Sequence, residues 1–213
     1  DLIRAAEAAG RLLQVGHIER FNPAFRELVK VTANEEVVVL EARRHSPNPD
    51  RANDVSVVLD LMIHDIDIVQ SIVGRPVESI EAIGTPVFSG AVDIANARLR
   101  FEGGCVANVT ASRVSLKTER KMRVFRDDAY LSIDLQQRIL TVIGKRSAVP
   151  ALGELPVTIE ESSYDQGDAL RAEIHAFLDC IREGKPPLVS GEDGLRALDI
   201  AIRITGMLTK GQS

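Results

Sequence analysis

Cysteine is nearly absent from the chain: Cys105 and Cys180 are the only two among 213 residues. They stand far apart in apolar surroundings, which excludes a disulfide framework and any zinc-finger spacing and makes a reducing cytoplasm the expected compartment. Basic runs are missing too, and with a formal net charge of −5 a nucleic-acid partner is disfavoured. No apolar run reaches the roughly 18 residues of a membrane span, and the first residues do not resemble a signal peptide. A G-x-S-x-G elbow is absent and no thiol neighbours a histidine in sequence, so serine- and cysteine-hydrolase chemistry falls away. There is no internal repeat and no low-complexity linker. What remains, 45% hydrophobic and 27% charged residues, is an ordinary globular composition. The length suits one sizeable domain, or one domain with a piece of another.

The stretch Val55 to Val73, VSVVLDLMIHDIDIVQSIV, is apolar almost all the way round and predicts a buried helix. Asp60, His64 and Asp67 interrupt it at i, i+4 and i+7, a spacing that puts all three on one face. Ionisable groups in a buried helix are costly unless paired or kept for a purpose. One reading of His64 is a hydrogen-bonded core residue. The other is a proton-transfer group, with Asp60 one turn earlier accepting from the ring, fixing its tautomer and holding its pKa near working pH. Asp67 either does the same or forms a salt bridge. Asp and His at i, i+4 also suit zinc or manganese, but no third histidine or cysteine lies nearby, so no metal site is expected.

Around this helix the order of elements is legible. Asp1 to Gly10 reads as the end of an amphipathic helix, and Leu12 to Gly16 as a short buried strand, one unit of a parallel α/β sheet whose remainder lies outside the chain. The polar run His17 to Asn22 follows the end of that strand, where open α/β sheets bind ligands, although a plain loop reads equally well. Asn22 and Pro23 then start a helix reaching Lys30. Glu36 to Arg43 is a strand, Ser46 to Asn53 a loop, and Asp54 the expected cap of the central helix. From Val77 onward the period changes to two. Strands are expected over 77–87, 94–101, 105–113, 121–125, 129–134 and 138–143, with a short one at 156–159. Linked by hairpins, they give an open, mostly antiparallel sheet with helices on one face, an α+β fold; its second, more polar face is left for solvent or subunit pairing. Two helices close the chain, over 168–183 and from Ser190 to about Thr209. Arginines recur on the strands (Arg43, Arg44, Arg98, Arg100, Arg113, Arg120, Arg123), where solvated edges and cross-strand pairs are the usual explanation. One that points into a cleft would suit a phosphate or carboxylate, and Arg113 is the best placed.

Gly16-His17-Ile18-Glu19-Arg20-Phe21-Asn22-Pro23, the D-x-x-x-H-x-x-D helix from Asp60 to Asp67, Arg98 to Gly104 and Val189 to Gly194 together resemble the glucose–fructose oxidoreductase / inositol dehydrogenase / MocA family. The resemblance runs from end to end of the chain. It implies a nicotinamide-binding Rossmann domain of which residues 1–16 are the last helix and strand, followed by a substrate-binding and oligomerisation domain over 17–213. By the same resemblance His64 takes a hydroxyl proton as hydride passes to NAD or NADP, and Asp60 orients it or touches the sugar. Glu19, Arg20, Asn22 and Arg113 would then contact substrate, and His17 and Ile18 the cofactor. A homodimer or homotetramer through the open sheet face is also implied. The GHIERFNP wording is similar to family members acting on UDP-linked N-acetyl sugars. The family's G-x-G-x-x-G loop and E-K-P lysine do not occur: Gly103-Gly104 reads as a hairpin, and Lys185-Pro186 lacks the preceding glutamate. The chain by itself is therefore expected to bind dinucleotide poorly and not to turn over. A non-catalytic ligand-binding or dimerisation module of the same fold is the contrasting reading.

Overall fold

Period-two patterning puts eight strands into one sheet. In the computed structural model, which describes residues 1–33, 35–47, 55–146, 156–164 and 167–210, these are β1 (Val39–His45), β2 (Val77–Thr85), β3 (Ile94–Phe101), β4 (Val106–Ser112), β5 (Glu119–Phe125), β6 (Ala129–Asp134), β7 (Ile139–Lys145) and β8 (Val157–Ser163). Their order is β2-β3-β4-β1-β5-β6-β7-β8. Successive strands pair as hairpins except at one place. There β1 inserts between β4 and β5, parallel to the first and antiparallel to the second. The hairpin expectation missed this insertion, because a strand so early in the chain reaches the middle of the sheet only by tertiary placement. The fold is α+β, with an open and mostly antiparallel sheet.

The two faces differ as the alternation requires. Along β3, Ala95, Ala97, Leu99 and Phe101 are buried, whereas Asn96, Arg98 and Arg100 are exposed. The inward face joins Leu40, Val109, Met122, Leu131 and Ile133 to the apolar sides of three helices, α2 (Pro23–Thr32), α3 (Ile63–Val73) and α5 (Gly191–Lys210). A core leucine such as Leu28, with no accessible surface, contributes about 1.5–3 kcal/mol by leaving water.

Local signals set the helix boundaries. Asn22 Oδ1 accepts from the Ala24 amide with Pro23 in the first turn, so α2 starts as its sequence dictates. At the start of α5 the Ser190 hydroxyl accepts from the Asp193 amide, and the Asp193 carboxylate accepts from the Ser190 amide and hydroxyl, a reciprocal cap. Asp168 caps α4 (Ala169–Glu183) through the Arg171 amide. The expected cap Asp54 and most of the 46–53 loop lie outside the described residues.

Two expectations need correction. Residues 12–16 follow α1 (Leu2–Ala8) but form no sheet strand. They make a single bridge, Gln14 to Ser190, with the Val15 amide donating to the Val189 carbonyl at 3.1 Å. A strand needs a neighbour to satisfy its backbone, and this segment finds only the chain entering α5. Contact there is close: a Cβ at Gly191 would meet Ile3 and Leu13, and one at Gly194 would meet Val15, so a larger residue at either position would displace those side chains. The central helix is not a uniform α-helix either. Val58–Met62 forms a π-helical turn that passes into α3 at Ile63.

Candidate active site

The π-turn changes the geometry that Asp60 and His64 share. An i→i+5 turn inserts extra chain per revolution, so residues four apart no longer stack as they do on an α-helix. Asp60 and His64 both line a cleft of about 430 Å³ together with Ile18, Glu19, Arg44, His45, Arg113 and Arg120. The hydrogen bond expected from the His64 ring to Asp60 does not form, and His64 Nδ1 is buried without a partner. That leaves Nε2 as the ring nitrogen open to the cleft. Asp67 belongs to neither group: it is buried and accepts two hydrogen bonds from the Arg20 guanidinium, at 2.8 and 3.0 Å.

Three elements meet behind His64. The 3-10 turn Ile18–Phe21 supplies Glu19, β1 supplies Arg44, and α3 supplies Asp65. Arg44 donates through Nε and Nη2 to Asp65 Oδ1 at 3.1 and 2.7 Å, and through Nη1 to Glu19 Oε1 at 3.0 Å. All three side chains are buried. Burial alone would weaken the guanidinium's hold on its proton, but the Asp65 and Glu19 carboxylates outweigh it and hold Arg44 charged. Arg120, half-exposed at the rim, lies 3.5 Å from the same Glu19 oxygen.

These charges act on His64. Burial pushes its pKa down to about 4, Arg44, His17 and Arg120 add to the fall, and Glu19 opposes them. The imidazole is therefore neutral at neutral pH, able to accept a proton, where the sequence predicted a pKa held near working pH by Asp60. His17 approaches edge-on, with ring centroids 6.1 Å apart. It is buried and its Nδ1 also lacks a partner.

The remaining predicted residues divide by position. Ile18, Glu19 and Arg113 line the cleft with His64 and Asp60. Arg113, at 1% exposure, donates to the Val55 carbonyl, and its own amide donates to Asp93 at 2.9 Å. Arg20 and Asn22 are not among the residues lining the cleft: Arg20 holds Asp67, and Asn22 caps α2 while donating to the Leu135 carbonyl at 2.8 Å and to Glu19 Oε2 at 3.4 Å. Arg44 was only one of several strand arginines, and Asp65 was not singled out. A signal for Arg44 existed: Leu40, Ala42 and Arg44 share one parity, and that parity faces the core. Among the described residues no cluster of histidine, cysteine and acidic groups has metal-binding geometry, and no helix is long and apolar enough to cross a membrane.

The class of protein to which this sheet and cleft belong follows from comparison with known families. Residues 25–211 match the model of the oxidoreductase family C-terminal alpha/beta domain. The chain is 34% identical over 203 residues to the UDP-N-acetylglucosamine 3-dehydrogenase of Acidithiobacillus ferrooxidans, covering 95% of this chain and 64% of that protein. It is 27% identical to the myo-inositol 2-dehydrogenase of Thermotoga maritima, covering 92% and 62% respectively. A solved structure of the Acidithiobacillus ferrooxidans dehydrogenase superposes with a TM-score of 0.89 at 33% identity, over 97% of this chain and 66% of that one. The chain belongs to the glucose–fructose oxidoreductase / inositol dehydrogenase / MocA family. It spans slightly less than two thirds of the length of the curated relatives it matches.

Proposed function

We propose that the chain is the substrate-binding part of an NAD(P)-dependent sugar dehydrogenase that oxidises a ring hydroxyl to a ketone, with a UDP-linked N-acetyl sugar as substrate. The observation that carries this reading is His64: a neutral imidazole with Nε2 toward a polar cleft, beside Asp60 and Glu19. Nε2 takes the hydroxyl proton as the alcohol C–H leaves as hydride, so a secondary alcohol gives a ketone and the histidine becomes imidazolium. Asp60 accepts a hydrogen bond from a sugar hydroxyl and fixes the ring's orientation. Glu19 lines the same wall, Arg113 and Arg120 face the anionic part of the substrate, and Arg20 and Asn22 support the turn that carries Glu19.

For the cofactor, the residues present fit only the reactive end of a dinucleotide. Ile18 offers an apolar edge at the cleft and His17 Nδ1 an unpartnered polar atom close by, while the chain has no G-x-G-x-x-G phosphate loop. The nicotinamide supplies the hydride acceptor when bound. Residues outside this chain hold its phosphates, so the chain alone binds dinucleotide weakly. The 1–16 segment is read as the edge of that neighbouring Rossmann domain. The reading also includes a cytoplasmic enzyme, in keeping with two free thiols, and a homodimer or homotetramer through the open sheet face.

The test uses the full-length gene product. Reduction of NAD and NADP is followed with UDP-N-acetyl sugars, free sugars and inositols, for wild type and His64→Ala. Turnover confined to UDP-sugars, reduced by a factor of about 10² or more in His64→Ala, is the expected result. A His64→Ala enzyme as fast as wild type would remove His64 from the reaction and favour the non-catalytic module; turnover of free sugars or inositols instead would reassign the substrate.

A further inference from the structure

Arg44 is a fully enclosed cation in the wall of a cleft whose chemistry needs a neutral histidine. Its three described hydrogen bonds tie together the three elements that surround His64: Asp65 on α3, Glu19 on the 3-10 turn, and its own strand β1. Asp65 directly follows His64, so the two bonds it accepts fix the rotation of α3 over β1 and with it the direction of the imidazole. Glu19 sits two residues after His17, whose ring packs edge-on against His64. We propose that Arg44 is a positioning residue that, through Asp65 and Glu19, holds the His64 imidazole in place and keeps a fixed positive charge in the wall of the same cleft. A buried ion pair is seldom kept for stability, because well-packed apolar residues of similar volume do as well or better. A frame that also sets the state of an adjacent reactive group gives a reason for its presence.

The charged and titratable groups facing His64 can be named element by element. Arg44 and His45 come from β1 and Arg120 from β5; His17 and Glu19 come from the segment around the 3-10 turn, Asp60 from the π-turn, Asp65 from α3, and Arg113 from the end of β4. Among the groups that disfavour protonation, Arg44 ranks next after burial itself. Its effect on His64 is that of a like charge, which a nearby cation exerts on imidazolium. Charge and placement are separable contributions, and substitution can separate them.

The inference rests on His64 being the proton acceptor, and its test reads His64 directly, apart from turnover. In the full-length gene product, isotopically labelled at histidine Cε1, the His64 resonance is assigned with His64→Gln and followed against pH by NMR. In Arg44→Met the His64 midpoint should rise by about one pH unit, a tenfold gain in proton affinity. Because Arg44→Met leaves Asp65 unpaired, Arg44→Met/Asp65→Asn is titrated beside it, with the same upward shift expected. Arg44→Lys keeps the charge but not the fork, so its midpoint should stay low while kcat/KM falls at least tenfold. A folded Arg44→Met or double variant with an unmoved His64 midpoint would overturn the proposal. Failure of both to fold would do so too, since Arg44 would then be purely structural. If His64→Ala kept full activity while the titration moved as expected, the role of His64 would fail and the effect of Arg44 on it would stand.

Discussion

Asp60 and Asp67 belong to one helical run and differ in everything that decides a carboxylate's role. Asp60 lines the cleft, whereas Asp67, at 1% exposure, accepts from Nε and Nη2 of the Arg20 guanidinium. Arg20 is itself only 14% exposed at its side chain and has Asp193 as a second carboxylate at 3.7 Å. Breaking such a pair from one side leaves a charge buried without its partner, which costs about 3–5 kcal/mol. Asp67→Asn should therefore lower unfolding stability by about 3 kcal/mol, towards the low end because Asp193 remains. Arg20→Met/Asp67→Leu, which removes both charges and refills the volume, should recover most of it. Urea unfolding of the two variants measures this. Equal stability of Asp67→Asn and wild type would mean that the pair adds nothing, and Arg20 would again be available to a ligand.

At the scale of elements, α3 begins in a π-turn and ends by a local rule. Gly74 follows it at φ +64°, its amide donating to Gln70, and a Cβ there would meet nothing within 4 Å. Gly74→Ala then isolates the backbone cost of a left-handed residue, about 1 kcal/mol, and Gly74→Asn should cost less because asparagine tolerates that region. Chemical denaturation of the two variants tests the order; an Ala variant as stable as wild type would mean that the helix end relaxes. Boundaries of this kind were legible in the sequence. Asn22-Pro23 and Ser190 each carry their own signal, and the alternation along β3 announced both faces of the sheet. The π-turn was not legible, because its residues Val58 to Met62 have the composition of any buried helix and only packing decides the phase. For the same reason the cleft was read in part. His64 and Asp60 stood out as ionisable positions in an apolar run and Arg113 as a strand arginine suited to an anion, whereas Glu19 and Ile18 came only from the family resemblance. The Arg44–Asp65 contact joins residues from separate elements, and no local spacing encodes it.

The molecule as a whole buries one face of its sheet and leaves the other bare among the described residues. That bare face is neither apolar nor of one sign. Glu81 and the exposed Ile83 lie on β2, Asn96 and Arg98 on β3, Glu41 and Arg43 on β1, and Lys121 and Arg123 on β5. Arg98 donates to Asn108, and Arg123 and Arg43 pair with Glu41 and Glu119 at 3.5 and 3.6 Å. Shallow hollows of about 240 and 290 Å³ separate these rows. Acidic and basic side chains are mixed across this face, so a second copy related by a two-fold axis can set opposite charges against one another. Exposed pairs of this kind contribute under about 1 kcal/mol each within one chain, so their arrangement matters more for partner choice than for folding. The full-length gene product should accordingly sediment as a dimer or tetramer at micromolar concentration. Arg98→Glu combined with Arg123→Glu, which reverses the charge at two of the basic positions and leaves Arg43 and Lys121, should raise the dissociation constant at least tenfold, and high salt should partly offset the like-charge repulsion in the variant. Adding Glu41→Lys and Glu81→Lys to that variant restores the balance of signs in exchanged places and should restore assembly. Sedimentation velocity across a concentration series distinguishes these outcomes. A monomeric wild type, or a doubly substituted variant of unchanged mass, would mean that the polar face is simply wet and that any assembly uses another surface.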